Sequence, residues 1–354
     1  MAPHPFQKKP KLVYIYPNRS SFVVKDAAIF SNDYEVIELP FDIKWKPLLP
    51  FYLLRQALLL LIYRWQSRIF IVQFGGYHSL LPTLIARCSR AKSAVVIGGY
   101  DAVAIPQIGY GAFANRWMKH AVAWSYRLTD RLIPVHDSLI QDTVIYGTSK
   151  PELRGIRAYV KNLKTPSTTV FNGYDSNDVF HANDRDEYDK RVITIAAGCA
   201  EDRRKILKGV DVFLEAAEIS KDFEWIIVGD VLKDVPQNVK CYAALPQTKL
   251  AELLRTSSVV VQASLSEGFP NALCEAMMCG CVPVVSPVAA MPEIAGGFGE
   301  ILKNKSAREL SEAVGRAHQM ASASHALKMK DHLMRNFSLE KRKLALLKII
   351  ADLL

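Results

Sequence analysis

Apolar runs recur along the chain at residues 12–16, 34–39, 69–74, 94–97 and 132–135, each followed by a loop and a longer segment with helical spacing. After residue 190 the alternation restarts. Apolar runs then fall at 192–196, 224–228, 239–242, 259–262 and 282–285, with helical stretches such as 210–219 and 248–254 between them. A strand that is apolar at nearly every position, not at every second one, is covered on both faces. Each half therefore predicts a parallel sheet wound with helices, and the fold class expected is α/β with two doubly wound domains.

Between the halves the chain reads FNGYDSND from Phe171 to Asp178, and residues 181–190 are dense in charge with little to bury. This predicts a linker, an N-terminal domain over residues 1–172 and a C-terminal domain over 173–337. Residues 339–354 form a last amphipathic helix with Ser338 in position to cap it. Residues 48–63, LLPFYLLRQALLLLIY, are apolar nearly all round, but Arg55 interrupts them and a bilayer span needs about 20 apolar residues. They predict a helix that is either buried in protein, within or between domains, or dips into a membrane interface beside Lys44, Lys46, Arg64 and Arg68.

Composition changes this picture only in part. With 50% hydrophobic and 23% charged residues, 354 residues can bury two cores, which excludes a disordered chain. Six cysteines without a CxxC pair suggest neither a disulfide framework nor a zinc site. The start of the chain lacks an apolar leader segment, so a reduced, cytoplasmic protein is expected. The formal charge of +10 is uneven: residues 1–173 carry 22 Lys and Arg against 10 Asp and Glu, and residues 174–354 carry 23 against 25. A basic half suits nucleic acid, an anionic membrane surface or a phosphorylated acceptor, and equally a plain solvated surface.

Candidate chemistry concentrates at residues 264–284, SLSEGFPNALCEAMMCGCVPV. A strand ends near Ser264, a turn holds Gly268 and Pro270, and a helix runs from about Asn271 to Gly280. Gly268 lets backbone approach a ligand closely, and the N–H groups at the helix start make an anion site. Glu267 in the turn and Glu275 in the helix can both face the crevice beyond the carboxyl ends of the strands. Carboxylates beside a phosphate would repel it unless they address hydroxyls. Ribose and sugar hydroxyls are the natural partners, because an ionised carboxylate accepts two O–H bonds and orients a diol.

The run EGFPNALCEAMMCGCVPVV resembles the E-x7-E signature of the retaining GT-B glycosyltransferases of family 4, the glycosyl transferases group 1, with Glu267 and Glu275 as its acids. The resemblance implies two Rossmann-like domains facing across a cleft, with the final helix packed back on the N-terminal one. It implies that Glu267 lies next to the transferred sugar, that Glu275 holds the ribose, and that main chain over Gly268, Phe269, Pro270, Asn271 and Leu273 contacts the diphosphate. Residues 192–211, VITIAAGCAEDRRKILKGVD, are similar to the family segment in which an Arg and the Lys of Lys-Gly neutralise the leaving diphosphate. Lys208 matches that Lys. Many members have Gly-Arg directly after the strand, where this chain has Gly198-Cys199, so Arg204 or Arg203 would substitute, with Arg204 preferred. In the first half, FGGYHSLLP (74–82) and VIGGYD (96–101) resemble a subset of the family. His78 and Asp101 there are candidates to position the acceptor hydroxyl or to stabilise charge on the donor sugar. Ser21, in the turn after the first strand, is a further candidate to approach the phosphates.

What the resemblance implies is transfer of a sugar from a UDP-, GDP- or ADP-sugar to an acceptor hydroxyl, with retention, in cell-surface polysaccharide or glycolipid synthesis. Neither metal nor other cofactor is expected, since fixed cations stabilise the charge that develops on the leaving oxygen. The acceptor would be lipid-linked, and the basic half would meet an anionic membrane peripherally on its inner face. A dehydrogenase would need a G-x-G-x-x-G turn, which neither half has. Asp184-Arg-Asp186 falls in the hydrophilic linker and reads as solvent-facing, not as a metal-binding D-x-D. No basic helix with interleaved aromatics marks a nucleic-acid module. A GT-B nucleotide-sugar epimerase and a glycogen-type phosphorylase share the fold logic; E-x7-E spacing favours transfer, and phosphorylases are much longer. A non-catalytic homologue that binds a nucleotide sugar is the reading that Cys199 motivates.

Overall fold

The structure is a computed structural model that describes residues 9–175, 179–182 and 188–354. Asp184 and Asp186 lie outside the described residues, as do parts of the two linker stretches. The chain divides into two compact units. One comprises residues up to Gln141, Arg154–Phe171 and Glu340–Leu354; the other comprises Asp142–Leu153 and Asn172–Leu339.

In the first unit β1 (Lys11–Tyr16), β2 (Glu35–Pro40), β3 (Ser67–Gln73), β4 (Lys92–Ile97) and β5 (Arg131–Pro134) form a parallel sheet in the order β2-β1-β3-β4-β5. All five apolar runs of the first half are strands. β1, β3 and β4 are buried along nearly their whole length. β2 lies at the sheet edge and is half-buried, so burial on both faces does not extend to it. The helices are α1 (Ser21–Ser31), α2 (Leu49–Tyr63), α3 (Tyr77–Arg87) and α4 (Met118–Leu128). The chain steps from β1 to β2 in one direction and from β2 through β3 and β4 to β5 in the other. Right-handed crossovers therefore place α2, α3 and α4 side by side on one face and α1 on the other, as the α2–α3 and α3–α4 packing shows.

A ribbon of β6 (Asp142–Val144) and β7 (Glu152–Arg154) follows, then the short α5 (Ile156–Tyr159). Gly147, between the ribbon strands, has φ +69°, and a Cβ there would meet the Leu265 side chain at 2.4 Å. That close approach explains why Asp142–Leu153 groups with the second unit.

The second unit holds β8 (Arg191–Ile195), α6 (Asp202–Leu207), α7 (Val210–Ile219), β9 (Glu224–Gly229), β10 (Val239–Ala243) and α8 (Gln247–Arg255). It continues through β11 (Val259–Gln262), α9 (Asn271–Met278), β12 (Val282–Val285), α10 (Met291–Ala295), β13 (Glu300–Ile301), α11 (Ala307–Met320) and α12 (Ala323–Asn336). Its sheet is parallel in the order β10-β9-β8-β11-β12-β13. The core is the fully buried interior of β8, β9, β11 and β12 with Trp225, Phe213 and Met277.

The final helix, α13 (Leu339–Leu353), belongs to the first unit except for its first residue. Arg342 Nε and Nη2 donate to the two carboxylate oxygens of Asp26 on α1 at 2.6 and 2.7 Å. Its Nη1 donates to the carbonyls of Val170 and Phe171 at 3.2 and 2.8 Å.

Candidate active site

In the second sheet the strand order reverses between β8 and β11. Ligands of open α/β sheets bind beyond the carboxyl ends of the strands at such a point. Glu267 lies in the loop after β11, and Lys208 ends α6 in the connection that leaves β8. They meet, Lys208 Nζ lying 2.6 Å from Glu267 Oε1. Gly209 makes the approach possible: its φ is +70°, and a Cβ would sit 2.3 Å from the Ala263 carbonyl oxygen. The corner between α6 and α7 is thereby pressed onto the β11 loop, and Leu265 N–H donates to the Leu207 carbonyl at 2.8 Å.

Glu267 Oε1 also accepts from Gln262 Nε2 at 3.0 Å and Ser264 Oγ at 2.9 Å. Its Oε2 accepts no hydrogen bond among the described residues. The carboxylate is thus fixed on one side and open on the other. Gln262 Oε1 is buried without a partner, the kind of orphan that a ligand hydroxyl would satisfy. Neither Gln262 nor Ser264 stands out in the sequence, because a strand-end Gln and Ser are common and only the fold aims them at Glu267.

The turn after Glu267 supplies fewer amides than the motif suggests. Pro270 has no N–H. Leu273 N–H already donates to the Pro270 carbonyl at 3.2 Å, and its side chain is buried, so Leu273 does not fit the diphosphate contact expected of it. The Phe269 side chain packs into the core against Tyr174 and Phe337, which leaves only its main chain near the turn. The N–H groups of Gly268, Asn271 and Ala272 have no partner among the described residues, and they sit where α9 begins. Asn271 Oδ1 accepts from Tyr174 Oη at 2.7 Å and Asn172 Nδ2 at 3.0 Å, which turns its amide nitrogen away from them. Both donors come from the expected linker, so part of that polar stretch is built into the site. Glu275, the fifth residue of α9, is half-buried.

Cys199 is fully buried, and burial followed by the nearby Asp230 carboxylate pushes its thiol up to about 11. A cation could not occupy that position unpaired. The arginines of α6 take different courses: Arg203 pairs with Glu201, while Arg204 folds back over the loop after β8. A Cβ on Gly198, which has φ +80°, would meet Arg204 Cδ at 2.6 Å and Nη1 at 2.8 Å. Arg204 Nε lies 3.6 Å from Glu201, so this acid faces both arginines, and the sequence pattern did not mark it.

In the first unit the strand order reverses between β1 and β3. The loops after β1, β3 and β4, with Phe41, Ile43 and Met118, line a cavity of about 360 Å³. Asp101 lines it, but its carboxylate is saturated. Oδ2 accepts from Gly75 N–H at 2.7 Å and Tyr126 Oη at 2.9 Å, and Oδ1 accepts from Gly98 and Gly99 N–H at 3.0 and 2.9 Å. Four donors fill the four lone-pair sites of a carboxylate. Asp101 therefore clamps the two Gly-Gly turns and has no oxygen to offer a substrate, which corrects its expected role. Burial pushes its carboxyl above the usual range, and the four donors pull it back.

His78 is buried in the same wall, against the Phe41 ring. A carbonyl only accepts, so His78 Nε2, 2.8 Å from the Gln73 carbonyl, carries the proton and Nδ1 is the acceptor. Burial lowers its pKa, keeping it neutral. Gln56 of α2 donates to its carbonyl at 2.9 Å. Ser21 is exposed at the first position of α1, at the carboxyl end of β1. Thus Glu267, Lys208 and the α9 turn come together in the second unit, while His78, Asp101 and Ser21 belong to the first.

Comparison with known proteins adds to this geometry. Residues 193–319 match the family model described as glycosyl transferases group 1. The chain superimposes on sucrose-phosphate synthase from Thermosynechococcus elongatus with a TM-score of 0.72 at 11% identity, over 97% of this chain and 99% of that one. It superimposes on Anabaena HepE in complex with UDP with a TM-score of 0.71 at 13% identity, over 97% and 100%. The fold is GT-B. A curated relative, the GPI3 subunit of phosphatidylinositol N-acetylglucosaminyltransferase from Saccharomyces cerevisiae, is 19% identical over 201 residues, 52% of this chain and 42% of the relative. The chain thus spans less than half the length of that relative. The family likeness thus lies in residues 193–319, and the solved neighbours share the fold of the whole chain.

Proposed function

We propose that this chain transfers a sugar, with retention, from a nucleotide diphosphate-sugar held by the second unit to an acceptor hydroxyl. The observation that carries the reading is the Lys208–Glu267 pair beside the unpartnered N–H groups of Gly268, Asn271 and Ala272. A diphosphate is the ligand such a set suits: a cation with donors to spare and a helix start. As the anomeric bond breaks, charge grows on the leaving oxygen. Lys208 and Arg204 would stabilise it without a metal. Glu275 would take the ribose diol, and the open oxygen of Glu267 a hydroxyl of the sugar. Solved structures of the similar HepE hold UDP and UDP-glucose, which supports a donor of this class.

The acceptor would bind at the first-unit cavity, whose walls are mostly aromatic and aliphatic, as an acceptor with an apolar portion requires. With Asp101 committed to the loops, His78 is a titratable side chain left in the cavity wall to meet an acceptor hydroxyl. The name of the GPI3 relative makes a glycolipid the more concrete product class.

Isothermal titration with UDP-, GDP- and ADP-sugars tests the reading. One of them should bind, Glu275→Ala should weaken it at least about tenfold, roughly 1.4 kcal/mol, and Lys208→Ala should depress turnover more than affinity. A protein that binds none of the three, or variants that transfer sugar at the parental rate, removes the proposal. A second reading, a non-catalytic nucleotide-sugar binder, draws on Cys199, buried where the family resemblance would put an Arg, while Glu201 faces both Arg203 and Arg204. Its signature would be binding without turnover against any acceptor extract.

A further inference from the structure

α2 is a helix with two apolar faces, only one of which is covered. Gln56 and Leu60 are buried against the unit, while Phe51, Leu54, Leu58 and Ile62 are 61%, 59%, 56% and 55% exposed. The expectation of a buried helix therefore fails for half of its surface, and an apolar stripe of this length in water marks a contact site. Four of the five tryptophans are exposed: Trp45 and Trp65 bracket α2, Trp117 precedes α4 and Trp124 lies within it. Three of them carry an arginine over the ring: Arg64 on Trp65, Arg116 on Trp117 and Arg127 on Trp124, at 4.9, 5.4 and 5.6 Å.

Charge decides what such a face meets. Residues 44–128 contain eleven Lys and Arg and a single acid, Asp101, which is buried. At the amino ends of β3 and β4, Arg64, Arg68 and Arg90 line a recess of about 980 Å³ beside Trp65, and Arg64 Nε is buried without a partner. A second copy would bring the same cations against these. α2 has 15 residues, about 22 Å of helix, against a hydrocarbon core of about 30 Å, so it can lie in an interface but not cross one.

We infer that the face formed by α2, α3 and α4 docks on an anionic phospholipid surface, with the outer stripe of α2 in the headgroup–acyl boundary and the Arg64–Arg68–Arg90 recess on lipid phosphate. Apolar burial and attraction to anionic headgroups then act together. The inference stands whether or not the chain transfers sugar, because none of these residues belongs to the proposed donor site.

Flotation of the full chain with phosphatidylcholine vesicles, with and without about 30% phosphatidylglycerol, tests it. The protein should float with the anionic vesicles and at least tenfold less with neutral ones. Arg64→Gln/Arg68→Gln/Arg90→Gln should remove the part of binding that high salt also removes. Leu54→Gln/Leu58→Gln/Ile62→Gln should lower binding at every salt concentration while leaving nucleotide-sugar binding unchanged. In the parent protein, brominated acyl chains should quench tryptophan fluorescence, a reading that needs no substitution. Absence of binding to anionic vesicles, equal binding to neutral ones, or a dimer that the α2 variant converts to monomer without change in vesicle binding would each overturn the inference.

Discussion

Lys208 Nζ rests 2.6 Å from Glu267 Oε1, although 59 positions separate them in the chain. Their side chains are 27% and 13% exposed, so the pair is shielded enough to count. Removing Lys208 leaves a half-buried carboxylate with two neutral donors. A double-mutant cycle of Lys208→Ala and Glu267→Gln, read by urea denaturation, should give a coupling of about 1–3 kcal/mol. If the proposed reaction is right, Lys208→Ala also lowers kcat by about a hundredfold, and single-turnover kinetics with the cognate donor would show it.

Asp101 should prove a structural clamp. Asn in its place offers one carbonyl oxygen to four donors and turns two N–H groups on the rest. Asp101→Asn is expected to cost about 2–5 kcal/mol, whereas Tyr126→Phe, which removes one of the carboxylate's four donors, costs about 1 kcal/mol. Denaturant midpoints of the two variants distinguish them. Equal, small losses would show that the four bonds do not share the load as the geometry states.

The Arg342–Asp26 pair is 2% and 1% exposed and bidentate. Arg342→Met strands a buried carboxylate and should destabilise the first unit by about 3–5 kcal/mol. Asp26→Leu/Arg342→Met together should recover most of that loss, because no buried charge remains. Thermal melting of the single and double variants is the measurement.

His78 predicts a pH dependence with a definite sign. Its folded pKa lies below the ordinary value of 6.5 because it is buried. Below about pH 6.5 the unfolded chain takes up a proton that the folded chain refuses, so stability from this residue is present at neutral pH and is lost as the pH falls. The melting temperature should drop between about pH 7 and pH 5.5 more steeply in the parent than in His78→Gln. Parallel curves would assign the loss to other groups.

Cys199 should resist thiol reagents in the native protein. Its thiol is buried and pushed up to about 11, whereas Cys88 is exposed. Mass mapping after brief alkylation at neutral pH should find Cys88 modified and Cys199 protected until the chain is unfolded.

The ten apolar runs coincide with ten of the strands; seven of these are central in their sheets, where a parallel strand needs an apolar residue at nearly every position and that demand is local. Glu267, Gly268 and Lys208 were legible for a similar reason: the Lys-Gly pair and the acid–turn–helix order are written in short stretches. What surrounds them was not. Asn172 and Tyr174 reach Asn271 across nearly a hundred residues. Glu201 engages two arginines, and the donors that saturate Asp101 come from loops after β3 and β4 and from α4. The sequence alone marked ten of the strands, and a turn where an acid, a lysine and a glycine could form an anion site. Only tertiary structure decided which carboxylate oxygens stay open, which amides are already used, and that the apolar outer face of α2 meets solvent. Hydrogen-bond saturation and exposure depend on what the rest of the chain packs against a residue, and short-range pattern carries no record of that.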